Sequence, residues 1–198
     1  MSIKAVFLGG IGVGKSSIIR RFSEGNIDNF HRATVSAAFV QKDIEFEGKK
    51  FEFGIWDTAG AEQFRAITPI YFRSANIAFI VADASDSVSD ADAEWWAREV
   101  MSKADEGVVI IFVMNKMDLI QDDQKSVETR AQKLSANYGE HYCLTSALQG
   151  TGITELFAFA FNLIPDAIRK AGSDPVRHVD IEKPNEDGNE TKKNGCSC

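Results

Sequence analysis

The chain has 198 residues, room for one domain with a buried core, and its 44% hydrophobic and 26% charged residues are ordinary for a soluble protein. A net charge of −7 argues against a nucleic-acid binder, which needs a basic surplus, but leaves room for a few cations aimed at a small anion. The longest apolar run, VVIIFVM at 108–114, is far too short to span a membrane.

MSIKAVFLGG carries no signal-peptide pattern, and Ser2 stands where myristoylation requires glycine. Three cysteines, at 143, 196 and 198, fit an intracellular, reducing compartment. In chain order, IKAVFL at 3–8 predicts a strand and KSSIIRRFSE from Lys15 a helix. AAFVQKDIEF and KKFEFGIWD flank Glu47-Gly48 as a hairpin. NIAFIVAD, VVIIFVMN and HYCLTS then read as buried strands, alternating with helices over AEWWAREVM, VETRAQKLSANY and ITELFAFAFNLI. This order predicts helices on both faces of a mostly parallel sheet. Ile153, Leu156, Phe157, Ala160 and Ile164 share one helical stripe and are expected in the core.

GGIGVGKS, Gly9 to Ser16, matches G-x-x-x-x-G-K-[ST] between the first strand and first helix. The glycines let backbone N–H groups curl around a phosphate at the positive end of the helix. Gly10, Ile11, Gly12, Val13 and Gly14 therefore form the candidate cradle, with Ser17 in the first helical turn. Lys15 can reach the β- and γ-phosphates, and the Ser16 hydroxyl can ligate Mg²⁺. Asp57 ends its strand as a carboxylate for the metal or its water, and Gly60 offers an unobstructed N–H to the γ-phosphate.

NKMD, Asn115 to Asp118, follows the central strand. A carboxylate at Asp118 accepts parallel hydrogen bonds from guanine N1–H and N2–H₂, which adenine cannot give, while Asn115 and Lys116 brace the loops. In TSAL, 145–148, the Ala147 N–H can meet guanine O6, with Ser146 and Leu148 beside it.

The P-loop, WDTAG, NKMD and TSA together resemble the Ras superfamily of small GTPases. TVSAAF at 34–39, YFRSA at 71–75 and the terminal CSC resemble its Rab branch. The resemblance implies a P-loop GTPase fold over 1–171: a mostly parallel six-stranded sheet with one antiparallel strand and helices on both faces. It implies a monomeric GTP/GDP switch in vesicle traffic. Thr34 would bind Mg²⁺ and γ-phosphate in the first switch, Gly60 would bind γ-phosphate in the second, and Lys15, Thr34 and Gly60 would form the catalytic set. Phe39, Trp56 and Tyr71 match the aromatic triad that effectors read. The implied partners are effectors, an exchange factor, an activating protein, a GDP-dissociation inhibitor and the prenylation machinery.

Several positions depart from the family pattern. Ala61 replaces the glutamine that orients the attacking water, and Gln63 lies two residues too far along to substitute. Ile11 is β-branched where the family has small residues, and is expected to crowd the γ-phosphate and any incoming arginine. Ile27 stands where an aromatic covers the guanine, Leu148 where a lysine does, and Ser36 replaces a glycine. Slow hydrolysis and ready exchange are the expectations, with a weak hydrolase and a binding-only pseudo-GTPase both open. A P-loop metabolic kinase would leave NKMD and CSC unexplained.

From Gly172 to Cys198 the chain is polar, with six acidic and four basic side chains, and reads as a flexible tail. Cys196 and Cys198 resemble the Rab C-x-C motif, on which two geranylgeranyl groups would anchor the protein to the cytosolic face of an endomembrane. A metal-binding or reactive cysteine pair is the alternative. Cys143 reads as a buried, inert thiol, and His31, His141 and His178 as isolated.

Overall fold

Both faces of β1 (Ser2–Leu8), β4 (Ile77–Asp83) and β5 (Val109–Asn115) are covered, which explains their unbroken apolar sequences. The structure is a computed structural model and describes residues 2–25, 37–46, 48–58 and 69–164. Between these strands lie α1 (Lys15–Glu24), β2 (Ala38–Phe46), β3 (Lys49–Asp57), α2 (Pro69–Phe72) and α3 (Ser89–Lys103). After β5 come a 3-10 turn (Met117–Leu119), α4 (Gln124–Ser135), β6 (Tyr142–Leu144) and α5 (Ile153–Leu163).

The strands form one six-stranded sheet in the order β2-β3-β1-β4-β5-β6. Among the described strands only the β2–β3 hairpin pair is antiparallel, as expected. Alternating side chains of the parallel strands serve two cores. Ile3, Ala5, Phe7, Phe79 and Val113 face α1 and α5, whereas Val6, Leu8, Ile80, Phe112 and Met114 face α3 and α4. In the first core, Phe22 of α1 stacks on Phe157 of α5, ring centroids 3.6 Å apart. Phe157 also meets Phe53 edge-on at 5.8 Å. These contacts fix α1, and with it the loop that precedes α1.

The α5 stripe is buried as expected, and Phe161 joins it. Other boundaries differ. α4 starts three residues before the expected Val127, because Asp123 caps it by accepting a hydrogen bond from the Ser126 N–H at 3.3 Å. β6 is only three residues long, since Thr145 and Ser146 turn away to build a loop. α2 and the 3-10 turn are additional elements, each a single turn and too short for periodicity to reveal.

Candidate functional site

β1 ends at Leu8, and residues 9–14 curl back before α1 begins. Gly9 and Gly14 are required there. A Cβ on Gly9 would lie 2.3 Å from the Val81 carbonyl oxygen, and one on Gly14 would lie 2.2 Å from Asn115 Nδ2. Both also have positive φ, 142° and 99°. Gly14 gives α1 no side-chain cap, and the first turn carries no acidic residue. Its leading N–H groups therefore present a positive end suited to an anion.

Lys15 is 6% exposed, and its ammonium donates to the Gly9 and Gly10 carbonyls at 2.9 and 2.7 Å. Loss of solvation lowers its pKa to about 8, against the opposing pull of Asp57 and Asp92. Asp92, in the first turn of α3, reaches this loop: a Cβ on Gly10 would lie 2.9 Å from its Oδ2. Val13 is buried, whereas Ile11 stands 67% exposed.

Phe7 of β1 pairs in register with Asp57 of β3, which brings the carboxylate to the loop. The buried Thr58 hydroxyl locks this arrangement by donating to the Phe7 carbonyl at 2.6 Å. Ser16 Oγ donates to Asp57 Oδ2 at 2.5 Å. Asp57 Oδ1 is buried and has no hydrogen-bond partner among the described residues. Burial raises the pKa of this carboxyl, opposed by the Ser16 hydrogen bond and the Lys15 and Arg20 charges. An orphaned carboxylate oxygen beside a serine hydroxyl is a hard-oxygen donor set that fits Mg²⁺.

At the ends of β5 and β6 a second group of residues meets the first. Asn115 is 1% exposed, and its side-chain amide donates to the Val13 carbonyl at 2.9 Å. Its Oδ1 accepts from Thr145 Oγ1 at 3.2 Å and from the Ala147 N–H at 3.1 Å. The bracing role expected of Asn115 is thus visible. The Ala147 N–H, expected to meet a base oxygen, is directed at Asn115, so a base contact would have to share that hydrogen. Ser146 Oγ donates to Asp118 Oδ1 at 2.5 Å and accepts from the Gln149 N–H at 3.1 Å. Lys116 braces as well, through an ion pair with Asp83 at 2.6 Å.

Gly12, Gly14, Ser17, Asn115, Lys116, Asp118, Ala147 and Leu148 line a single cleft of about 320 Å³. Three segments far apart in sequence converge on it, with the phosphate-type loop at one end and the Asp118 carboxylate at the other. On the far side of β3, Phe39 is 52% exposed and lies 5.1 Å from the ring of Trp56, which lies 5.3 Å from Tyr71. The three rings therefore lie side by side, with Trp56 and Tyr71 partly buried against the core.

Residues 4–166 match the model of the Ras family. The chain belongs to the Ras family. Its relatives place it in the Rab branch of small GTPases. Ras-related protein Rab-21 of Geodia cydonium is 39% identical over 155 residues, 78% of this chain and 67% of that protein. The GTP-binding protein ypt5 of Schizosaccharomyces pombe is 32% identical over 183 residues, 91% and 87% of the two chains. YPT53 of Saccharomyces cerevisiae is 38% identical over 171 residues, 83% and 77% respectively. This Rab-family chain is accordingly a GTP- and GDP-binding GTPase.

Of the expected site residues of this GTPase, Ile27, Thr34, Ser36, Gly60, Ala61, Gln63, Cys196 and Cys198 lie outside the described residues, as do His31 and His178. Cys143 is only partly buried, a correction, yet burial still pushes its thiol up to about 11, so it stays protonated and unreactive. Sequence reasoning missed Asp83, Thr58, Asp92 and Arg21. Only Asp83 left a trace, since it ends β4 as Asp57 ends β3, and it pairs in register with Asn115.

Proposed function

We propose that this chain is a GTP/GDP-regulated switch in intracellular vesicle traffic that recruits effectors through Phe39, Trp56, Tyr71 and its switch segments. One observation carries the reading: a single cleft joins the uncapped start of α1 to the Asp118 carboxylate. A guanine base would lie against Asp118 and Ala147, and its phosphates would meet the N–H groups of residues 10–17 and the Lys15 ammonium. Lys15 would exchange the two loop carbonyls it now holds for phosphate oxygens.

Ser16 and Asp57 would hold Mg²⁺ with Thr34. The ion would supply neutralisation of charge building between the outer phosphates. Thr34 and the Gly60 N–H would let the terminal phosphate order both switches.

Hydrolysis is slow in this reading, because Ala61 offers no amide to orient a water. The exposed Ile11 side chain obstructs an arginine approaching from a partner. The same Ala61 favours a second reading, in which the chain recruits effectors without turnover unless an activating protein supplies the missing amide. Residues 172–198 serve as a tail whose Cys196 and Cys198 carry two geranylgeranyl groups. These hold a monomer on the cytosolic face of an endomembrane, where an exchange factor, an activating protein and a dissociation inhibitor act on it.

Mass spectrometry of the copurifying nucleotide tests the core of this proposal. Guanine nucleotide, largely triphosphate, is expected; adenine nucleotide alone would reject it. Single-turnover hydrolysis then tests the catalytic part: Ala61→Gln should accelerate it at least about tenfold, toward a rate with an oriented water. Replacing both terminal cysteines with serine should release the protein from membranes in cells.

A further inference from the structure

Arg21 projects from the last turn of α1 and holds three backbone carbonyls at once. Its Nε donates to the Ala147 oxygen at 2.9 Å, and one terminal nitrogen makes a short hydrogen bond to the Leu148 oxygen. The other terminal nitrogen donates to the Gly25 oxygen at 2.9 Å. The stem packs over the next turn of the same loop, since a Cβ on Gly150 would lie 3.6 Å from Arg21 Cδ.

These partners belong to two different structures. Ala147 and Leu148 form the base-side wall of the cleft, whereas Gly25 caps α1 where the chain leaves for the first switch segment. A planar fork with five donors can satisfy consecutive carbonyls and a third acceptor together; a lysine ammonium, a single rotatable point, cannot span them in the same way. Leu148 adds only a side chain that is 58% exposed, so the position of this wall is set by its backbone.

We infer that Arg21 is a positioning residue for nucleotide retention. It clamps the 147–148 wall of the cleft to the end of α1, and nucleotide leaves when the clamp opens. The inference rests on the nucleotide reading above and adds the residue that governs release. It also gives an exchange partner a handle: displacing the backbone at Gly25 breaks one of the three bonds and loosens the wall across the cleft.

The test uses the full chain loaded with fluorescent GDP. Arg21→Gln should release it about tenfold faster, the loss expected for one charge-assisted hydrogen bond. The single-turnover hydrolysis rate of bound GTP should shift far less than release, because the carbonyls Arg21 holds belong to the base-side wall and the end of α1. Arg21→Lys, which keeps the charge and most of the stem, should fall between the two, and it serves alone if Arg21→Gln does not fold. Release at the wild-type rate in these variants overturns the inference and leaves the nucleotide reading intact. Release and hydrolysis shifting in parallel also overturns it, because a general loosening of the fold would do the same. A wild-type chain that binds no guanine nucleotide overturns both.

Discussion

Lys116 Nζ lies 2.6 Å from Asp83 Oδ2, an ion pair that joins the residue after β5 to the last residue of β4. Lys116 has a φ of 68°, a left-handed conformation that costs a lysine roughly 1 kcal/mol. The pair offsets that cost. Burial tends to raise the Asp83 pKa, but the Lys116 ammonium and the Ser85 hydroxyl and N–H together hold it below the usual carboxylate range. Arg130 of α4 reinforces the same corner, with two hydrogen bonds to Asp90 at 2.8 and 2.6 Å and one to the Ala84 carbonyl at 2.7 Å.

Asp83→Asn should therefore free Lys116 and loosen the base end of the cleft. The Lys116 side chain is 33% exposed, so the full value of a buried pair does not apply. A loss of about 1 kcal/mol, or roughly fivefold in guanine-nucleotide affinity, is expected by calorimetric titration. An unchanged affinity would show that the pair is ornamental.

Asn115→Ala removes the hub between the two ends of the cleft. It strands the Val13 carbonyl, the Thr145 hydroxyl and the Ala147 N–H in a buried setting. The expected cost is about 3 kcal/mol, which for a domain of this size lowers the melting temperature by roughly 6–12 °C. Scanning calorimetry at fixed nucleotide concentration measures it.

Gly12 and Gly14 share a loop and a positive φ, yet only one has a neighbour in the way. A Cβ at Gly12 meets nothing within 4 Å, whereas one at Gly14 lies 2.2 Å from Asn115 Nδ2. Gly12→Ala should cost about 1 kcal/mol of backbone strain. Gly14→Ala should cost more, displace Asn115 and weaken nucleotide binding by about 100-fold or more, since the cradle and its brace move together. Equal effects of the two substitutions in paired titrations would contradict this geometry.

The folded-state pKa of Lys15, about 8, lies below its ordinary value of 10.5. Between those values the unfolded chain binds more protons than the native one, so stability rises with pH across that window. Relative to Lys15→Met, the wild type should gain at most ~3 kcal/mol between pH 8 and 10.5, read from urea titrations along the pH series. A pH-independent difference would mean that the ammonium is not desolvated. Adding a polyphosphate ligand should abolish the slope by restoring a favourable charge partner.

Much of this was legible in the chain itself. Strands such as β4 and β5 announce themselves because two-sided burial forbids polar residues, and Gly9 to Ser16 is readable because so few residue types tolerate a backbone wrapped around an anion. Arg21 was not legible. Beside Arg20 it reads as one more solvated helix cation, and its acceptors on the cleft wall lie 126 and 127 residues away as carbonyls, which carry no residue signature. Thr58 stayed hidden for the same reason: it acts through the Phe7 carbonyl, which only the sheet register brings near. The α4 boundary slipped because the capping Asp123 sits in a run of polar residues where several could have capped.

The hairpin strand β2 terminates the sheet on one flank and is nine residues long, a template that another extended chain could lengthen. Its outward positions Gln41, Asp43 and Glu45 are exposed and polar, while Lys42 folds back to the Phe22 carbonyl at 2.7 Å. Any copy aligning alongside would have to desolvate two carboxylates against its own matching pair. At high local density, this flank therefore repels self-stacking and leaves the aromatic patch at the far end of the strand free for heterologous company.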